Sequence, residues 1–150
     1  MAVQLLTPKL VVGAPDAPGT ADAALDFYTA VLEAAVIARF AMGRSVVFAE
    51  LELPGGQRLQ VKDADSHDPG PPAGGGGVIL DVITDDPDAL ATRAVDHGAR
   101  VLIPMADQPY GSRQGRILDP FGHQWILGTP VSLAADEVQH RLDAWAEGTE

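Results

Sequence analysis

The chain contains no cysteine, so disulfide frameworks, thiolate metal centres and cysteine nucleophiles are all excluded. Cations are scarce too: 10 Lys and Arg stand against 21 Asp and Glu, a formal net charge of −11. A surface of that sign opposes phosphate backbones and no basic stripe interrupts it, so nucleic acid is not an expected partner. The acidic excess either serves solubility or favours a cationic ligand. No apolar run approaches the roughly 18 residues of a membrane span. The opening "MAVQLLTPKLVVG" lacks the basic stretch and long apolar core of a signal peptide. The expectation is an unprocessed, soluble, cytoplasmic protein with no membrane partner. There is no Gly-x-Ser-x-Gly nucleophile elbow. No two of His67, His97, His123 and His140 have the i, i+4 spacing of a helical zinc site.

At 150 residues the chain amounts to one domain with a core of its own. "TPKLVVG" (residues 7–13) reads as a β segment, and "APDAPGT" breaks it before Thr20, which offers an N-cap. In "ADAALDFYTAVLEA" the positions Leu25, Tyr28, Val31 and Leu32 recur at helical spacing and leave Asp22, Asp26 and Glu33 toward water. Three β segments follow, at 36–42, 45–53 and 57–63, separated by Gly43-Arg44 and Pro54-Gly55-Gly56. Residues 64–77, "ADSHDPGPPAGGGG", cannot supply a core and mark a linker. The pattern then restarts with "VILDVI" (78–83) and a helix with Asp86 as N-cap, Pro87 at its first position and Gly98 closing it. Further β segments follow at 100–105, 115–119 and 123–129. The order β-α-β-β-β thus occurs twice, about 5–63 and about 78–130, a repeat of element order more than of residues. The tail, about 132–147, reads as an added helix with Ser132 as cap and Val138, Leu142 and Trp145 on one stripe.

Two such modules in tandem, with "LDFYTAVLEA" in the first helix and "DPFGHQWILGT" closing the second, resemble the vicinal oxygen chelate superfamily. That group includes glyoxalases, bleomycin-resistance proteins, fosfomycin-resistance enzymes and extradiol dioxygenases. The stretch "YGSRQGRILDPFGHQW" is similar to a branch with a Tyr/Trp-Gly-x-Arg segment before the last hairpin. The resemblance covers about residues 5–130 and implies an α+β fold. Two βαβββ modules would form a cup-shaped mixed sheet, with the tail helix appended. It also implies four inward metal positions on the first and fourth strands of each module, which fall on Thr7, Gln60, Ile79 and Ile126. Only one of these is a competent donor, and a one-residue register shift rescues neither isoleucine. No metal and no cofactor are therefore expected.

Strand parity places the remaining chemistry. Gln124, Ile126 and Gly128 share one face of their strand, while His123, Trp125, Leu127 and Thr129 share the other. Asp119-Pro120-Phe121-Gly122 has type I turn chemistry, which assigns His123 to the hairpin's exit. In the third strand Val47, Ala49, Leu51 and Leu53 read as the apolar face, leaving Val46, Phe48, Glu50 and Glu52 on the other. With Gln60 inward, Arg58 and Lys62 share its face. Asp81 goes with Ile79, and Lys9 with Thr7. The candidate ligand-binding set is Lys9, Phe48, Glu50, Arg58, Gln60, Asp81, Tyr110, Arg113 and Gln124. The other reading of these side chains is that they are solvated or paired among themselves. Arg113 either orients a carboxylate or pairs with Asp107 or Asp119. "DADSHDPG" (63–70) has the alternate acids of a calcium loop but neither its sixth-position glycine nor its twelfth-position glutamate.

The expected function is a metal-free small-molecule-binding protein that sequesters a drug or metabolite. The alternative is a metal-independent isomerase, epimerase or cyclase with Glu50 or Asp81 as general base. A metal-dependent lyase or dioxygenase is disfavoured by the poor donor set. The partners expected are a small organic molecule and a second copy of the chain, because open sheet edges invite pairing.

Overall fold

The computed structural model describes residues 1–148. They fall into two compact units: Met1–Gly76 with Phe121–His123, and Gly77–Pro120 with the chain from Gln124 onward. In the first unit run β1 (Lys9–Val12), α1 (Thr20–Leu32), β2 (Ala35–Met42), β3 (Ser45–Glu52) and β4 (Arg58–Asp63). The sheet order is β1-β4-β3-β2, with β1 parallel to β4 and the other pairs antiparallel. The second unit repeats the plan with β5 (Ile79–Ile83), α2 (Pro87–Asp96), β6 (Arg100–Asp107), β7 (Arg113–Leu118) and β8 (Gln124–Gly128), in the order β5-β8-β7-β6. The fold is α+β, two βαβββ modules with a C-terminal helix, α3 (Ala135–Ala146), as the element order implied.

The apolar stripe of α1 is buried through Leu25, Tyr28 and Val31 against a sheet face made of Leu10, Val12, Ala49, Leu51, Leu59 and Val61. Each large apolar side chain removed from water there contributes about 1.5–3 kcal/mol before chain entropy is counted. Phe27, Tyr28 and Phe121 form an edge-on aromatic cluster with ring centroids 5.3–6.1 Å apart. In the second unit α2 starts and stops where its sequence signals stand. Asp86 accepts from the Ala89 amide at 3.0 Å, Pro87 opens the first turn, and Gly98 (φ 104°) follows the last.

Three local expectations are corrected. Thr20 does not cap α1; the cap is Gly19 in the left-handed region, and the Thr20 hydroxyl donates to the Ala17 carbonyl instead. The acceptor the helix needs comes from far along the chain. Asp63, buried at the end of β4, takes the Ala21 amide on Oδ1 and the Val46 amide on Oδ2, both at 2.8 Å. On β3 the buried residue is Val46 and not Val47, because a bulge against β2 shifts the pairing from Phe40↔Phe48 to Ala41↔Val46 and reverses the alternation. Ser132 does not cap α3 either; the cap is Ala134, without a side-chain hydrogen bond.

The start of the linker is tied down. Lys62 donates to Asp65 at 2.7 Å and to Asp68 at 2.5 Å, and Asp65 Oδ1 accepts the amides of His67 and Asp68. That arrangement accounts for the alternating acids as an Asx turn built around a lysine.

Two predictions follow from these carboxylates. Asp63→Ala strips two buried amides of their acceptor, so urea denaturation should show a loss of about 2–5 kcal/mol, with Asp63→Asn recovering only part of it. The Lys62 ammonium, then the amides of Asp68 and His67, hold the Asp65 carboxyl down at about 2 from its ordinary 3.8. A lowered folded-state value stabilises the fold above the unfolded value and ceases to do so as pH falls through the folded one. The melting-temperature gap between the native chain and Asp65→Asn should therefore be constant near neutrality and close between about pH 4 and pH 2.

Candidate functional site

The sheet face of the first unit turned away from α1 collects five of the sequence-picked side chains. Register aligns Lys9 with Gln60, Gln60 with Glu50, and Glu50 with Ala38, so one row crosses β1, β4, β3 and β2. Arg58 donates to Glu50 at 3.0 Å and reaches Glu52 at 2.8 Å, while the Gln60 amide donates to the other Glu50 oxygen at 2.9 Å. Both Glu50 oxygens are thus engaged within the sheet. The Lys9 ammonium sits 5.3 Å from the Phe48 ring centroid, a cation–π contact. Phe48 in turn stacks on Phe40 at 6.0 Å and 30°. Phe40, 62% exposed on β2, was missed in the sequence. A strict two-residue hairpin would set it opposite Val47, and only the bulge brings it to Phe48.

In the second unit β7 is fixed at its start. Ser112 Oγ donates to the Thr129 carbonyl at 2.8 Å, and the Arg113 amide donates to Thr129 Oγ1 at 3.0 Å. From there parity divides the strand. Gly115 and Ile117 are buried on the α2 side with Trp125 and Leu127 of β8, while Gln114 and Arg116 lie on the opposite face with Gln124 and Ile126. Arg113 falls on the helix side and grips Asp88 of α2 through Nε (2.6 Å) and Nη2 (2.9 Å), with Asp107 at 3.2 Å from Nη1. Those two carboxylates raise the Arg113 pKa, and Arg113 lowers that of Asp88. Of the two readings of Arg113, ion pairing is the one the geometry supports, with Asp88 added as the main partner.

Tyr110, in the β6–β7 turn, donates its hydroxyl to Gln114 Oε1 at 2.7 Å. Burial, and secondarily the charge of Asp81, push its phenol pKa up. Ile103, Gln108, Tyr110, Gln114, Gly115, Arg116 and Ile126 line an open hollow of about 130 Å³. Asp81 is exposed on β5, level with Ile126. His123 lies in the first unit, where its Nε2 donates to the Val11 carbonyl at 2.9 Å, the structural role assigned to it.

The four positions that hold metal in related folds do not fit one here. Gln60 is committed to Glu50, Thr7 has a lone hydroxyl, and Ile79 and Ile126 have no donor atom. Among the described residues no three His, Asp or Glu side chains cluster in a way that would hold an ion.

Residues 17–127 match the model of the Glyoxalase/Bleomycin resistance protein/Dioxygenase superfamily, and the chain belongs to that family. It is similar to the uncharacterized protein Mb0911c of Mycobacterium bovis, 31% identical over 95% of each chain. Among solved structures it is similar to TioX from Micromonospora sp. ML1, with 26% identity and a TM-score of 0.61 over 83% of this chain and 96% of that one. The fosfomycin resistance protein FosX from Listeria monocytogenes shares the fold at 15% identity, with a TM-score of 0.64 over 92% and 99%.

Parity on β8 and β4 is open to a stability test. Trp125 is 5% exposed and donates Nε1–H to Asp119 at 2.9 Å. Trp125→Ala should therefore destabilise by about 3–5 kcal/mol, whereas Gln60→Leu and Asp81→Asn should each stay within about 1 kcal/mol of the native chain in the same denaturation experiment.

Proposed function

We infer that this chain is a metal-free small-molecule-binding protein of the glyoxalase/bleomycin-resistance type. It acts in the cytoplasm as a homodimer in which both modules serve one binding domain, and it sequesters a drug or metabolite. The observation that carries this reading is the first-unit sheet face, where the Phe40–Phe48 pair lies beside Lys9, Glu50, Arg58 and Gln60. An aromatic platform with a few fixed polar groups suits an organic ligand with a flat apolar body. Catalysis has weaker support. Glu50 would have to surrender a hydrogen bond to Arg58 or Gln60 before taking a proton, and Asp81 stands in water, not in a desolvated pocket. The lack of donor atoms at Ile79 and Ile126 speaks against a metal-dependent lyase or dioxygenase.

One measurement addresses ligand, metal and assembly together. A native mass spectrum of the protein purified from its own host should show twice the 15.7 kDa chain mass plus a retained organic molecule of a few hundred daltons. Elemental analysis of the same sample should show no stoichiometric zinc, nickel, manganese or iron. One such metal per chain, removed by chelator with loss of binding, would overturn the reading.

A further inference from the structure

Like Lys9, Arg44 and Arg100, Arg116 holds no carboxylate among the described residues, but it differs from them in a guanidinium N–H that is buried without an acceptor. Arg39, Arg58, Lys62, Arg113 and Arg141 each hold at least one carboxylate at 3.2 Å or less. Arg116 pairs with no carboxylate among the described residues, although acids outnumber cations by 21 to 10. Among the described residues its buried Nε has no hydrogen-bond partner, and the guanidinium makes a long 3.5 Å approach to Gln124 Oε1 through Nη1. An N–H of a charged group kept from water without an acceptor destabilises the fold. A chain with so many spare carboxylates has left that cost standing. The surroundings describe what would relieve it. Tyr110 holds Gln114 by its amide oxygen, and the Gln114 Nε2 donor meets no acceptor among the described residues. Ile103 and Ile126 flank the guanidinium in its register row, and Asp81 lies beyond Ile126, two strands away, roughly 10 Å by strand spacing.

We propose that the hollow around Arg116 is a binding subsite for the carboxylate of a small organic molecule, taken by the Arg116 fork and the Gln114 amide, with the ligand's apolar body lying over Ile103 and Ile126. A guanidinium presents parallel N–H donors that match a carboxylate edge to edge, which an ammonium does not. A hollow of about 130 Å³ admits a head group and leaves the rest of the ligand outside it. The proposal deepens the small-molecule-binding reading by assigning the ligand's charge and the residue that reads it.

The test uses the full chain and three probes: benzoate, its neutral isostere benzamide, and inorganic phosphate. Arginine side-chain Nε–Hε resonances are followed by 15N NMR. Benzoate should shift the Arg116 signal saturably, and benzamide should not. Phosphate should bind more weakly than benzoate. Arg116→Gln should weaken benzoate binding at least about tenfold, and Arg116→Lys should restore only part of it. Arg116→Met should melt no lower than the native chain, because it removes an unpaired charge without breaking a pair. The proposal is overturned if benzamide shifts the resonance as benzoate does, if Arg116→Gln binds benzoate normally, or if Arg116→Met destabilises the fold and so reveals a structural role. Phosphate binding as tightly as benzoate would overturn the carboxylate assignment in favour of a general anion site. A neutral molecule retained in the native spectrum and insensitive to Arg116→Gln would sink this inference while leaving the binding function standing. Benzoate binding through Arg116 beside a stoichiometric catalytic metal would do the reverse.

Discussion

One carboxylate sets the geometry of the first unit. Asp63 reaches the start of α1 and the start of β3 at the same moment, through two 2.8 Å bonds from buried amides. A negative charge at a helix N-terminus is favourable in itself, but the larger effect is positional. With Asp63 locked toward the helix, Leu59 and Val61 must face it too, and Arg58 and Gln60 are turned to the other side of β4. The row that binds Glu50 is a consequence of that orientation. The same bond pair also holds Val46 inward, which β3 achieves by its bulge, and the bulge then delivers Phe48 to Phe40. The aromatic platform and the polar row therefore descend from one buried acid.

Much of this was legible from alternation alone. Trp125 and Leu127 on one side of β8, Gln124 and Ile126 on the other, and Gln60 with Arg58 opposite Leu59 could be placed because one face of each strand is plainly apolar. The α2 caps were legible because all their signals lie within a dozen residues. Asp63 was not, since the amide it caps is 42 residues upstream and no local pattern announces it. The exchange of Val46 for Val47 was hidden for the same kind of reason, as a bulge is settled by the partner strand. Arg116 is a different case. Gly115 and Ile117 already put the odd positions of β7 behind the sheet, which makes Arg113 a helix-side residue and Arg116 the exposed-face cation. The "YGSR" motif drew the choice to Arg113, which Asp88 and Asp107 engage.

Five of the cations, Arg39, Arg58, Lys62, Arg113 and Arg141, hold carboxylates among the described residues. In a chain of net charge −11, each arginine or lysine is surrounded by candidate partners. The exposed pairs, such as Arg39 with Asp22, contribute little stability once solvent screening is counted. Their effect is to fix side chains: Arg113 holds Asp88, and Lys62 pins the first turn of the linker. Cations spent in this way are not available to a ligand, so the polar side chains that could meet one form a short set, and most of them lie on the two register rows.

Those rows are counterparts in the repeat, and their charges are inverted. The strand order first, fourth, third, second carries Lys9, Gln60, Glu50 and Ala38 in one module and Asp81, Ile126, Arg116 and Ile103 in the other. Lysine stands where the other has aspartate, and glutamate where the other has arginine. Element order is thus conserved between the halves while the chemistry of the face is not. The inversion is also unequal in its completeness. Glu50 has a cation beside it on β4, because Arg58 precedes Gln60 by two residues on the same face. Gln124 occupies the corresponding place before Ile126, and an amide offers Arg116 dipole but no charge. The first row is closed within the sheet. The second stays open at its third position, and the side chain there determines the sign of what it can accept.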